Sequence, residues 1–275
     1  MFICSQCAAP APVPGRMPDV TSDRVVQVAV SRGVATLTLD SPANRNALSR
    51  ALRAQLRDAL AAALADDAVR VIVLDHTGRV FCSGMDLAEA AGGGAQDQGV
   101  REFPDLLESI WNSPKPVVAV VRGPARAGGV GLLAACDVVV AAEAATFAFS
   151  EVRLGLVPAV ISAVVLPRMV PHVAHRLMLT GKVFDAAAAA AGGLVDLVVP
   201  EADVNAVLRA QLIELTAGAP SALAETKRLL RASTPPLAFD ELLELSARYF
   251  ASEEGQEGIA SFREKRPARW VPSAD

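Results

Sequence analysis

Residues 117 to 137 carry the strongest constraint on the fold. Val117-Val118-Ala119-Val120-Val121 is a wholly apolar, mostly β-branched run, which fits a strand covered on both faces and therefore a parallel sheet with layers on either side. It leads through Arg122-Gly123-Pro124-Ala125-Arg126-Ala127 into Gly128-Gly129-Val130-Gly131, and then into an apolar, alanine-rich stretch from Leu132 to Cys136. That stretch predicts a buried helix starting near Gly128-Gly129. A strand that breaks at glycines and resumes as helix leaves N–H groups unpaired at the helix start, where the dipole also favours negative charge. Such a corner can hold an oxyanion, or the glycines can simply permit a tight turn and close packing.

A second corner bears on that choice. Val71-Ile72-Val73-Leu74 is another buried-strand run, and it leads into Gly78-Arg79-Val80-Phe81-Cys82-Ser83-Gly84-Met85-Asp86-Leu87. The N–H of Met85 is a candidate to face the same point as that of Gly128. Two amides from separate loops are what a thioester carbonyl needs as it becomes an enolate, since fixed donors stabilise charge that appears only during reaction.

Phe81 to Leu87, the Gly128-Gly129 corner, and Glu151-Val152-Arg153-Leu154-Gly155-Leu156-Val157-Pro158 resemble, in order and spacing, the motifs of the enoyl-CoA hydratase/isomerase family, also called the crotonase superfamily. The resemblance runs from about Val25 to Arg266. It implies an α/β fold, a crotonase-like spiral of β-β-α units with a helical C-terminal oligomerisation region. The corresponding division is an N-terminal tail over 1–22, the α/β domain over 23–200 and the helical region over 201–275. It also implies a homotrimer or a dimer of trimers.

Composition narrows the alternatives. The chain has 275 residues, 52% hydrophobic and 20% charged, yet no apolar run reaches the ~18 residues of a membrane span. The excess is read as core plus subunit interface. A net charge of -4 without a basic block gives no footprint for nucleic acid. Cys4 and Cys7 form a Cys-x-x-Cys in the proline-rich tail but lack a second pair or nearby histidines for zinc. No cysteine pattern asks for an oxidising compartment, and the expected location is cytoplasmic. The tail also lacks the basic n-region of a secretory signal, and Met17 is a candidate start.

The periodicity predicts specific elements. Val26, Val28 and Val30, then Val34, Thr36 and Thr38, flank a turn at Ser31-Arg32-Gly33 and read as a hairpin. Ser49 caps a helix from Arg50 to Ala65 with leucines at 52, 56, 60 and 64. That helix returns the chain to the Val71 run as a right-handed βαβ unit. Ala91 to Gly99 is a glycine-rich loop, and Glu102 to Trp111 a helix. Further strands are expected at Val138 to Val140, Thr146 to Phe149 and Leu194 to Val199, and further helices at 160–170, 173–179, 185–191, 204–216, 221–232, 238–251 and 256–265.

The chemistry depends on which acids reach the thioester. In hydratases of this family one glutamate follows the oxyanion glycine by three residues, and a second closes a Phe-x-x-x-Glu segment. By that resemblance Glu151, after Phe147, is the second; the first position holds Gly131. Two carboxylates normally share the tasks of activating water and donating a proton, whereas one suffices to move a proton between carbons. A single glutamate is the pattern of Δ3-Δ2 enoyl-CoA isomerases. Gly129 to Leu132 with Ser150 to Ser162 also resembles hydratases of branched enoyl-CoAs, including methylglutaconyl-CoA hydratases. The favoured reading is hydration of a 2-enoyl-CoA, with isomerisation and a non-catalytic CoA-ester binder as alternatives. Glu89 and Glu102 are further candidate acids, or simply exposed helix glutamates; Glu151 itself could instead pair with Arg153 or Arg168 at the surface.

The expected catalytic set is thus Glu151 with Met85 and Gly128. By resemblance Asn46, Ala47, Leu48, Asp86 and Leu87 line the coenzyme A groove, and Phe262 and Lys265 reach the coenzyme A of a neighbouring subunit. Coenzyme A enters as part of the substrate, with no permanently bound cofactor and no metal. There is no Gly-x-Gly-x-x-Gly and no Walker lysine for a nucleotide. His76, His172 and His175 have no metal spacing, Ser83 and Ser150 no evident His-Asp partners, and no aspartate nucleophile stands between Pro158 and Ser162.

Overall fold

The computed structural model describes residues 24–86, 89, 102–232 and 252–272. The tail over 1–22 with Cys4, Cys7 and Met17, Leu87, the loop Ala91 to Gly99 and the helix expected over 238–251 lie outside them.

The chain enters as a hairpin of β1 (Val26–Ser31) and β2 (Val34–Leu39), turning at Arg32 and Gly33 with φ of 50° and 76°. Positive φ at both central residues matches the twist of the flanking strands. The helix α1 (Arg50–Ala65) starts at Ser49, whose hydroxyl accepts from the Leu52 amide at 3.3 Å. Its leucines 52, 56 and 60 are buried. There follow β3 (Val71–His76), α2 (Glu102–Trp111), β4 (Val117–Val121), β5 (Ala125–Arg126), α3 (Gly128–Ala135), β6 (Val138–Ala142) and β7 (Thr146–Ala148). A 3-10 turn, Glu151–Leu154, leads to α4 (Ala159–Arg168), α5 (Pro171–Thr180), β8 (Phe184–Asp185), α6 (Ala186–Ala191) and β9 (Leu197–Val199). The helices α7 (Val204–Ala217), α8 (Pro220–Arg231) and α9 (Glu253–Glu264) follow.

The main sheet has the order β1-β2-β3-β4-β6-β9, parallel from β2 onward. Its central strands, β3 from Val71 to Leu74 and β4 throughout, carry unbroken apolar runs because they serve two cores in alternation. Ile72, Leu74, Val117, Ala119, Val121 and Val139 face the body with α1, α2 and α3. Val71, Val73, Val118, Val120 and Val140 face α7, against Val204, Leu208 and Leu212. The continuous valine runs follow from that double burial.

A smaller sheet, β5-β7-β8, brings the loops together. Ala125 pairs in parallel with Phe147 on one side and with Cys82 on the other. Three backbone segments therefore run side by side in one direction. Three residues beyond that row lie Met85, Gly128 and Ser150, so both proposed donors and the start of the Glu151 turn leave the same edge.

The C-terminal segment is tied to the other end of the main sheet. The guanidinium of Arg70, just before β3, donates to the carbonyls of Trp270 at 2.6 Å and Gly218 at 2.7 Å. Among the described residues no helix is long and apolar enough to cross a membrane.

Candidate active site

The three converging loops enclose a cavity of ≈ 350 Å³ lined by Met85, Gly128, Glu151 and an apolar wall that includes Phe103, Leu156, Val157, Val160 and Ile161. Among the described residues the amides of Met85 and Gly128 have no acceptor. They are neighbours: a Cβ built on Gly84, the residue before Met85, would lie 3.7 Å from the Gly128 nitrogen. Gly84 itself has φ +92°, a backbone conformation glycine adopts without steric penalty.

At the other corner the conformational burden falls on an alanine. Ala127 precedes α3 with φ 47° and ψ -115°, held by its amide donating to the Ala148 carbonyl at 2.9 Å. The glycines after it serve close packing instead. A Cβ on Gly128 would meet Leu48 Cδ1 at 2.8 Å, and one on Gly129 would meet the Cys82 carbonyl oxygen at 2.7 Å. Of the two alternatives posed from sequence, close packing is present, and the approach of Leu48 and Cys82 holds α3 where its first residue lines the cavity.

Glu151 opens the 3-10 turn after β7, and its Oε2 is buried with no hydrogen-bond partner among the described residues. Burial pushes its carboxyl above the ordinary value near 4.5, and its own backbone amide opposes the shift. The pairing with Arg153 or Arg168 does not form: Arg168 instead holds Asp196 at 2.5 Å and the Cys136 carbonyl at 2.7 Å. One buried carboxylate oxygen without a partner and two amides without acceptors, all among the described residues, thus belong to one cavity.

The position of the missing first glutamate is filled. A Cβ on Gly131 would lie 2.5 Å from Ile161 Cγ2 and 3.7 Å from Leu107 Cδ1. Ile161 has taken the space that a second acidic side chain would need. The alternative acids are engaged elsewhere: Glu89 accepts from the Arg50 amide at 2.8 Å, and Glu102 stands 3.7 Å from Arg53. Neither lines the cavity. Cys82 and Cys136 are fully buried, and burial pushes both thiols up to about 12, which keeps them protonated and inert.

The residues expected at the coenzyme A groove are distributed unevenly. Asp86 lines the cavity. Asn46 and Leu48 have no exposed surface, so their side chains support the loop from within and are not placed to touch a ligand. Asn46 accepts from the Ser41 amide at 2.7 Å and donates to the carbonyls of Thr77 at 3.0 Å and Val80 at 2.8 Å. Ala47 is 6% exposed. Lys265 is exposed beyond α9 with φ 54°, while Leu87 and the Phe262 side chain lie outside the described residues. Sequence reasoning missed Phe103, which reaches the cavity from α2. Its signal was the apolar face Phe103, Leu106, Leu107 and Ile110.

A sequence profile described as enoyl-CoA hydratase/isomerase matches residues 29–272. The chain belongs to that family. It is 36% identical over 256 residues to a protein of Rhodobacter capsulatus named probable enoyl-CoA hydratase, covering 91% of this chain and 99% of the relative. Pseudomonas aeruginosa AtuE superposes with a TM-score of 0.85 at 36% identity, covering 90% of this chain and 100% of that one. An enoyl-CoA hydratase of Shewanella pealeana superposes with a TM-score of 0.84 at 30% identity, with coverage of 90% and 97%. The mixed α/β body with its helical C-terminal region is a crotonase fold, as the motifs implied.

Proposed function

We propose that the protein is an enoyl-CoA hydratase that uses one carboxylate, Glu151, where relatives with two glutamates divide the work. One observation carries this reading: the buried, unpartnered Oε2 of Glu151 belongs to the same cavity as the acceptor-free amides of Met85 and Gly128. The thioester carbonyl oxygen of a 2-enoyl-CoA accepts from both amides. Glu151 takes a proton from water as the water oxygen bonds to C3, and the C2=C3 electron pair moves into the enolate. The enolate then takes that same proton from Glu151 at C2, which completes addition of water and restores the carboxylate. A raised carboxyl suits both halves, because an acid must be able to return what the base has taken.

Ile161 in the space beside Gly131 favours a second reading, Δ3-Δ2 enoyl-CoA isomerisation. There Glu151 removes a proton from C2 of a 3-enoyl-CoA and returns it at C4. Incubation with 2-enoyl-CoA and 3-enoyl-CoA separates the two: hydration of the conjugated double bond supports the first, and bond migration without hydration the second. Binding of both esters with turnover of neither would leave a CoA-ester binder. Glu151→Gln is expected to end turnover and leave ester binding nearly intact; wild-type rates in that variant overturn the assignment.

The cavity mouth supports a homotrimer or dimer of trimers as part of the proposal. Val157 is 79% exposed and Leu156 51%, side chains that a neighbouring subunit would cover. Light scattering on the purified chain tests this, and a monomer at micromolar concentration would reject it.

A further inference from the structure

Arg53 stands out because it carries a charge into the core side of α1. It is 3% exposed, between Leu52 and Leu56 on the buried face. Its Nη1 donates to the Leu48 carbonyl. Its Nε has no hydrogen-bond acceptor among the described residues and lies 3.7 Å from a carboxylate oxygen of half-exposed Glu102. Stripping water from a guanidinium is expensive, and one hydrogen bond with a loose ion pair offsets it poorly. As a device for stability the residue is badly placed.

What it holds is better defined. Leu48 donates its amide to the Gly84 carbonyl at 2.8 Å and forms a parallel bridge with Met85. Its Cδ1 also presses on Gly128. Glu102 begins α2, and the next residue, Phe103, brings its ring to 3.3 Å from a Cβ built on Gly128. One guanidinium therefore joins Leu48, which lies against both Met85 and Gly128, to α2, whose Phe103 lies against Gly128. We propose that Arg53 is the positioning residue of the oxyanion hole, fixing Leu48 through its carbonyl and α2 through Glu102 so that the Met85 and Gly128 amides keep one separation. This rests on the oxyanion role given to those amides above.

Acetoacetyl-CoA is the probe, since its β-keto thioester ionises to an enolate with a distinct ultraviolet band that the two amides would stabilise. Wild-type protein is expected to hold it as enolate at a pH where the free ester is largely keto. In Arg53→Met the bound ester should need a pH about one unit higher to ionise. The kcat on enoyl-CoA should fall roughly 10- to 100-fold with KM little changed, as for loss of oxyanion alignment. Arg53→Lys keeps the charge but cannot span both Leu48 and Glu102, and should fall between. Glu102→Gln, at a half-exposed site where folding is not at stake, should shift ionisation in the same direction by less. Unchanged ionisation and kcat in the folded variants, with only a lower melting temperature, would overturn the proposal. Should wild-type protein itself bind the ester only as keto, the oxyanion reading falls first, whatever Arg53 does.

Discussion

The two ends of the parallel strands treat their polar groups in opposite ways. Where β3, β4 and β6 begin, charges are met several times over. Asp137 accepts from the Val117 amide at 2.8 Å, Lys227 at 2.7 Å and Arg231 at 2.9 Å. Lys227 also donates to the carbonyls of Ile110 at 3.2 Å and Lys115 at 3.3 Å, while Arg231 lies 3.4 Å over the Trp111 ring. Beyond the strands' other end, around Met85, Gly128 and Glu151, two amides and a carboxylate oxygen find no partner among the described residues. Ligands of open α/β sheets sit beyond the carboxyl ends of the strands. A satisfied network rigidifies, whereas an unpaired buried polar group is costly to keep. The helix α3 spans the two, with Gly128 at its start and Asp137 just past its end.

That contrast breaks if replacing the unpartnered carboxylate at the open end costs folding, or if substitutions in the ion-pair network at the closed end change chemistry. The largest effect is expected from Glu151→Gln, with kcat lower by roughly 10²–10⁴-fold and the melting temperature equal or higher. Its carboxyl is raised in the folded state, so folding binds the proton more tightly than the unfolded chain does. The Glu151 contribution to stability therefore improves as pH falls toward the unfolded value near 4.5. Base function runs the other way, and kcat/KM should decline through a pH above 4.5. A variant that loses stability together with activity would erase the distinction.

Next comes Lys227→Met at the closed end, which leaves the half-buried Asp137 beside one cation fewer. It should lose about 3–5 kcal/mol in urea unfolding, with kcat of the folded protein retained; a kcat defect at full occupancy of the fold would refute the separation. Gly131→Ala presses a methyl into Ile161 and should cost about 1–3 kcal/mol. In a double-mutant cycle with Ile161→Ala the double variant should lose less than the sum of the two single losses. Strict additivity would mean the two residues do not touch.

The smallest effect is expected at His76. Burial lowers its pKa below the ordinary 6.5, and the neutral ring accepts the Arg122 amide at Nε2, 3.0 Å away. Asp75, which opposes the shift, and Arg122, which adds to it, both face the ring. The unfolded chain takes up the proton first, so stability should decline as pH drops below 6.5, by at most about 1.4 kcal/mol per pH unit. His76→Asn should flatten that decline, and an unchanged slope would show that another group carries it.

Local signals made much of this fold readable. Ser49 before a leucine stripe gave α1 with its cap and both ends, and the valine runs gave β3 and β4, because capping and double burial are written in adjacent residues. The two glycine corners made Met85 and Gly128 candidates to face one point, but Glu151 joined them only through family motifs, since its place depends on Ala125 pairing with Cys82 and Phe147, contacts between distant segments. The buried role of Asn46 was hidden for a related reason. Its three backbone partners lie at Ser41, Thr77 and Val80, and a polar side chain before a helix looks the same whether it faces ligand or core. Arg53 left a fainter trace, a basic residue at the spacing 53, 56 and 60 of the buried face.

Ala127 bears on how fast such a site can work. A methyl-bearing residue at φ 47° has few neighbouring conformations to escape into, whereas glycine would have many. The peptide plane that carries the Gly128 N–H consequently has a narrower range of orientations than it would after a glycine. In the proposed reaction its dipole would keep one bearing, and the developing enolate would meet a donor that needs no reorientation.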